Sequence, residues 1–314
     1  MDLSVVVCTY NRERLLQGAL EQMCRLHVPE GVEWELLVVD NGSTDGTDLV
    51  IDTFAGRLPL RKLREDRPGK SFALNHAVAG ARGAYLVFTD DDVLVGPNWL
   101  AAYAAAFQQW PGDAVFGGPI AALFEGTPPR WLGETRDMLG GVYAERDFGG
   151  HAIALTDQRV PFGANMAIRA ADHGPYRYPT SLGPGRGDMV RGEDTAVVRT
   201  MFANGLSGRW VPEARVQHVI PEARQTLRYI RRYYIGHGRQ LAAEGFEGPT
   251  WWGRPRWVWR AAADAGIRYG LARVRHGPSG WMADLVAASV TWGRLLGPRF
   301  AASDAVPAPR DGAD

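Results

Sequence analysis

Three runs dominated by β-branched and aliphatic residues, SVVVCTY (4–10), WELLVVD (34–40) and YLVFTD (85–90), alternate along the chain with segments of helical period. That rhythm predicts βαβαβ units, a mainly parallel sheet and helices on both of its faces. Helices are expected over 12–26, from about Thr47 to Phe54, and over 69–81 and 98–110, with a short strand near Leu60–Leu63. A strand broken by glycine follows at 113–123, helix resumes over 193–204, and a strand returns at 214–220. The glycine-rich stretch 181–194 reads as a mobile loop. Ligands of open α/β sheets bind at the carboxyl ends of the strands. Tyr10-Asn11, Asp40-Asn41 and Asp90–Asp92 all fall there, so three polar clusters share one edge.

Asp90, Asp91 and Asp92 close a buried apolar run, and their mutual repulsion costs free energy unless a cation offsets it. A hard divalent ion would do so while leaving positions open for phosphate oxygens. The alternative is a solvated turn, because Asp is common in turns. In an extended segment Asp90 and Asp92 project to one side and Asp91 to the other. Gly69-Lys70-Ser71 opens a helix whose free N–H groups attract anions, which places Lys70 near phosphates unless it is a plain surface lysine. The upstream glycine of a P-loop is missing.

Composition narrows the class. Lys and Arg number 35 against 35 Asp and Glu, which argues against a dedicated nucleic-acid binder. Cys8 and Cys24 supply neither a disulfide framework nor zinc spacing, so a reducing cytoplasm is the simplest location. No basic leader precedes the first strand, and no stretch reaches the roughly 18 uncharged apolar residues of a membrane span. The expectation is a cytoplasmic protein, either free or peripheral on the inner face of the membrane.

The segments SVVVCTYNR, ELLVVDNGSTDGT, GKSFALNHAV, FTDDDVLV, FGANMAIR and GEDT follow one another in the order and spacing of family-2 glycosyltransferases. The resemblance covers about residues 3–220 and implies the GT-A nucleotide-diphospho-sugar transferase fold. It implies a transferase domain (1–221, nucleotide-sugar half about 1–120, acceptor half about 121–221), and the residue pattern beyond it reads as a helical Trp/Arg-rich extension (222–302) and a disordered tail (303–314). By the same resemblance Thr9, Tyr10, Asn11, Arg12 and Asp40 form the base and ribose pocket, although Asp40 also reads as a turn residue. Lys70 and Asn75 face the donor, and Asp90 or Asp91 reaches ribose or sugar. Asp92 is the direct metal ligand, and His218, alone on its strand, completes the site or is structural. An imidazole ligand favours Mn²⁺ over Mg²⁺.

Asp194 is the implied base of an inverting transfer, with Glu193 touching acceptor or sugar; two acids in a helix's first turn also stabilise the dipole. Gly118, Gly163 and Asn165 are expected to line sugar and acceptor, and Trp131 is a stacking platform or a packing residue. The partners implied are a UDP, GDP or dTDP sugar and a hydroxyl acceptor, lipid-linked in one reading. The rivals are a nucleotidyltransferase and an inactive sugar-nucleotide-binding scaffold. The first needs a glycine-rich loop after the first strand, where CTYNRERLL has none.

Beyond residue 222 the pattern is helical. Arg224, Arg228, Arg231, Arg232 and Arg239 crowd one side of a helix over 223–241, with Leu227, Ile230, Tyr234 and Leu241 on another. Two further helices, about 255–275 and 281–297, carry tryptophans among arginines. They suit a membrane surface or a homodimer contact, although Gly266, Gly270, Gly277 and Gly280 argue against long unbroken helices.

Overall fold

The structure, a computed structural model, describes residues 1–180, 192–243, 245 and 248–297. The expected mobile loop, except for residues 192–194, and the expected tail fall outside the described residues. In chain order the elements are β1 (Leu3–Thr9), α1 (Glu13–Met23), β2 (Trp34–Asp40), α2 (Thr47–Phe54), β3 (Leu60–Arg64), α3 (Lys70–Gly80), β4 (Tyr85–Asp90), β5 (Val93–Val95), α4 (Trp99–Gln109), β6 (Val115–Gly117) and β7 (Ile120–Phe124). They continue with α5 (Arg130–Leu139), β8 (Asn165–Arg169), α6 (Ala170–His173), α7 (Glu193–Ala203), β9 (Gly208–Trp210), β10 (Val216–Ile220), α8 (Leu227–Ala243), β11 (Thr250–Trp251), β12 (Arg254–Pro255), α9 (Arg256–Arg275) and α10 (Pro278–Leu296).

The main sheet has the order β3-β2-β1-β4-β8-β6-β9. Its first four strands are parallel, and β8 enters antiparallel between β4 and β6. Residue alternation divides its core in two. Val5, Val7, Leu36, Val38, Val87 and Ala167 face one apolar cluster, and Val6, Leu37, Val39, Leu86, Phe88 and Met166 face the other. Both faces are buried, which is why these strands read as continuous apolar runs. A small sheet, β5-β10-β7, stands beside the main one and carries His218.

A third core joins α5 and the 3-10 turn Gly140–Tyr143 to Ile220, Ile230, Trp281, Met282 and Leu285. The C-terminal helices therefore share apolar packing with the region before β8. Gly238 of α8 and Gly293 of α10 set the crossing: a Cβ on Gly238 would lie 2.0 Å from the Val290 carbonyl oxygen, and one on Gly293 2.2 Å from that of Ile235. Contrary to the expected break, α9 runs unbroken through Gly266 and Gly270. Val258 and Ala265 are buried on its inner face and Tyr269 meets Trp281 of α10. Tertiary packing of that face outweighs the propensity cost of two glycines.

His173 is fully buried against Phe88 and Tyr178, and its ring nitrogens find no partner beyond their own backbone. Burial, reinforced by Arg177, lowers its pKa from 6.5 to about 4. As pH falls the unfolded chain takes this proton first, so stability is complete above about 6.5 and is lost towards 4. The loss amounts to about 3 kcal/mol. His173→Phe is expected to be at least as stable as the parent and to flatten the acid limb of a denaturant-unfolding series. An unchanged acid slope would assign that loss to another group.

Candidate active site

The polar ends of β1, β2 and β4 meet at one edge, as parallel strands require. β4 ends at Asp90, and the chain turns at Asp91–Asp92 before β5, so strand alternation stops there. The expected pairing of Asp90 with Asp92 is therefore corrected. Asp91 and Asp92 converge on Arg12, whose Nη1 donates to Asp91 Oδ1 at 2.9 Å and Asp92 Oδ2 at 2.6 Å. Asp90 turns instead to Lys70 Nζ at 2.5 Å.

Asp92 is the most heavily engaged carboxylate. Besides Arg12 it meets Arg224 Nη1 at 3.2 Å and His218 Nε2 at 3.4 Å. His218 Nδ1–H donates to the Tyr143 carbonyl at 2.6 Å, which turns Nε2 towards Asp92. Burial alone would raise the Asp92 carboxyl; His218, Arg12 and Arg224 outweigh it and hold the group well below the usual range. Among the described residues Asp91 pairs with the cation Arg12, and burial pushes its carboxyl up. Arg12 was expected at the base and ribose, yet the structure places it on the acids. The charge of the cluster is offset by the protein's own guanidinium groups.

Lys70 opens α3 as expected and lies among three acids. Burial would lower its pKa, but Asp90, Glu193 and Asp194 together raise it well above the ordinary value. Glu193 Oε1 is 3.9 Å from Lys70 Nζ. Burial, then Asp194, pushes the Glu193 carboxyl up. Asp194 is the better-oriented acid. Its Oδ2 accepts the Gly163 N–H, and its Oδ1 accepts the Thr195 N–H at 2.7 Å. A Cβ on residue 163 would stand 2.8 Å from Asp194 Oδ2, so only glycine permits this approach. Lys70, Leu74, Phe88, Thr89, Asp90, Gly163, Met166 and Asp194 line one small cleft.

At the first strand end Thr9 is buried and Tyr10 is 54% exposed. Asn11 has φ 50° and its Oδ1 accepts the Thr44 N–H at 2.7 Å. Asp40 is buried, with Oδ1 accepting the Ser43 N–H at 2.9 Å and Oδ2 facing Arg64 Nη1 at 3.3 Å. Both side chains brace the loops around the strand ends, the local role that competed with a ligand role in the sequence.

Three expected contacts are corrected, and Trp131 takes its packing alternative. Asn75 gives both ends of its amide to the Tyr178 backbone, at 2.9 Å each, and so ties α3 to that segment instead of facing a donor. Asn165 is fully buried: Oδ1 accepts from Trp99 Nε1 and Tyr103 OH, and Nδ2 donates to the Pro119 and Ala214 carbonyls. No hydrogen-bonding capacity remains for a sugar. Gly118 packs against Ala214 and that same amide. Trp131 is half-buried on the third core and is not part of the cleft lining.

Other residues escaped the sequence reading. Asn41 accepts the Gly69 N–H and donates to the Glu65 and Arg67 carbonyls, shaping the loop before Lys70. Arg146 stacks 3.7 Å above Phe162, next to Gly163. For Arg224 the available signal was the surplus of acids, which demands basic partners; for the Tyr143 carbonyl there was none.

The donor types that bind a divalent cation, carboxylate oxygen and imidazole nitrogen, occur together at Asp92 and His218. Among the described residues no cluster of three or more His, Cys or acidic side chains is arranged for a metal, but Asp92 and His218 Nε2 face each other. Arg224 Nη1 stands 3.2 Å from Asp92 Oδ2 and 3.3 Å from His218 Nε2, so a cation held by these two side chains would displace that guanidinium.

The sequence profile described as Glycosyl transferase family 2 matches residues 4–167, more than half of the chain. The chain belongs to that family. This family-2 glycosyltransferase is 29% identical to the succinoglycan biosynthesis protein ExoM of Rhizobium meliloti (strain 1021), across 77% of its own length and 76% of that protein. It is 24% identical to a glucosyl-dolichyl phosphate glucuronosyltransferase of Haloferax volcanii, across 77% of each. Among solved structures it resembles S. aureus TarS 1-349 in complex with UDP-GlcNAc (TM-score 0.54, 17% identity, 94% of this chain and 92% of that one). It also resembles the mannosyltransferase PcManGT of Pyrobaculum calidifontis in complex with GDP-Man and Mn²⁺ (TM-score 0.58, 20% identity, 92% and 86%). At those identities the structures establish the shared GT-A fold, with its mostly parallel sheet and, here, a helical C-terminal region.

Proposed function

We propose that this transferase moves a sugar from a nucleoside diphosphate to an acceptor hydroxyl with inversion, Asp194 serving as base. The observation that carries the reading is the Asp194 carboxylate, held by two backbone N–H groups in the cleft that also contains Asp90 and Lys70. Each of its oxygens keeps a lone pair for a substrate proton. Asp194 takes the acceptor proton as that oxygen bonds to the anomeric carbon. The bond from carbon to the phosphate oxygen breaks on the opposite face, and the nucleoside diphosphate leaves with the electron pair. Asp92 and His218 would hold a divalent cation, which would neutralise charge on that leaving group. Glu193 orients Lys70 beside Asp90 and adjoins the acceptor. Tyr10 and the braced strand ends at Asn11 and Asp40 receive the nucleoside.

UDP, GDP and dTDP sugars all remain compatible, and neighbours bound to UDP-GlcNAc and GDP-Man support both purine and pyrimidine donors. A saccharide hydroxyl, lipid-linked where the C-terminal helices meet a membrane, is the acceptor. Retention of Asp92, Glu193, Asp194 and His218 together disfavours the inactive scaffold. The test is a thermal-shift panel of UDP, GDP, dTDP and CDP, each with Mn²⁺, Mg²⁺ or EDTA. A metal-dependent rise for one nucleoside diphosphate, larger with Mn²⁺, is expected. Folded protein that shifts with none of them would sink the donor assignment.

A further inference from the structure

The C-terminal helices bury one face and leave another bare. On α9 the inner face packs on α10, while Ile267, Leu271 and Val274, at spacings of four and three, form an outward stripe that is 62%, 50% and 87% exposed. At the amino end of the same helix the β11–β12 hairpin projects Trp251 and Trp252, the latter 86% exposed and edge-on to Trp259. Trp252 has φ 47° and Gly253 φ 72°. Two left-handed residues make the turn that a tight hairpin prefers, but that turn favours Asn or Gly in its first position. A bulky tryptophan there is strained, and such strain persists where function requires it.

The surrounding charge is one-sided. Residues 249–297 contain seven arginines and two aspartates, although the whole chain is neutral. Arg256, Arg260, Arg268 and Arg275 are exposed around the stripe, with Arg268 Nε 3.8 Å from Asp284 Oδ1 and exposed Asp264 as the acid beside Ile267. Among the described residues no helix is long and apolar enough to cross a membrane.

We infer that the Trp251–Trp252 hairpin tip and the Ile267–Leu271–Val274 stripe dock this protein in the plane of an anionic lipid surface. Tryptophan rings and isolated aliphatic side chains enter the boundary between headgroups and acyl chains, and the arginines meet lipid phosphates. A second copy fits less well: a two-fold contact through this face would set the same basic patch against itself. The docking inference extends the transferase reading without depending on it, because lipid binding is measured with neither donor nor acceptor.

The experiment is flotation of the full chain with vesicles of phosphatidylcholine alone or of phosphatidylcholine with phosphatidylglycerol. Binding to the anionic vesicles, weakened by salt, is expected, and each arginine near the surface contributes about fivefold to partitioning. Arg260→Gln with Arg268→Gln should therefore lower it by about 25-fold. Trp252→Gly separates lipid binding from folding. It relieves the left-handed strain and melts no lower than the parent, yet it loses vesicle affinity by on the order of tenfold. Equal binding to both vesicle types, no binding, or unchanged binding by Trp252→Gly and Val274→Ser would overturn the inference. So would a dimer in sedimentation that these substitutions dissociate, without lipid binding.

Discussion

Asp194→Asn is expected to lower turnover by about 10²–10⁴-fold while leaving metal-dependent donor binding in place. The amide is nearly the same size, so the approach to Gly163 survives. It cannot take a proton from the acceptor hydroxyl. One of its ends must also present N–H to a backbone N–H, either that of Gly163 or that of Thr195, because the parent carboxylate accepts from both. That mismatch costs about 1 kcal/mol of stability, small beside the kinetic effect. Steady-state rates and the nucleotide thermal shift, measured on the same preparation, test the assignment. A fall in kcat with an unchanged shift supports a base acting in the chemical step. Full turnover would remove Asp194 from that role, and loss of the shift would make it a donor-binding residue.

Asn165→Leu is expected to destabilise the fold by about 3–5 kcal/mol, although residue 165 contacts no substrate. Leucine matches the volume but strands Trp99 Nε1, Tyr103 OH and the Ala214 carbonyl around a fully buried position, while the Pro119 carbonyl keeps the Val216 N–H. Buried polar groups without partners carry the full desolvation cost. Asn165→Asp is no rescue: one carboxylate oxygen would keep the two donors while the other faced two carbonyl oxygens. Denaturant unfolding of both variants is the measurement, and a loss below about 1 kcal/mol would show that water or repacking replaces the network.

Gly118 and Asn165 show why part of the site was misread. In sequence, Asn165 stands in a segment that resembles a sugar-lining motif, and an amide suits a hydroxyl as well as it suits a backbone carbonyl. The choice depends on whether Trp99, Tyr103, Pro119 and Ala214 arrive first, and they come from positions 46 to 66 residues away. Arg12 is a parallel case. It follows β1 in the chain, yet its partners Asp91 and Asp92 lie 79 and 80 residues on. The expectation that clustered acids need a compensating cation was physically sound, but Arg12, Lys70 and Arg224 meet much of that need.

The sequence alone determined the α/β class, the strand and helix order up to β4, the edge at which polar residues gather, and the family resemblance. Those features rest on residue periodicity and on turn chemistry, which act between near neighbours and are therefore written locally. Only the tertiary structure decided which carboxylate faces which cation. It placed Asp194 against Gly163, oriented His218 from the Tyr143 carbonyl, and left the α9 stripe uncovered. Such pairings depend on ångström-scale distances and on competition between desolvation and charge, and both exist only once distant segments have packed together.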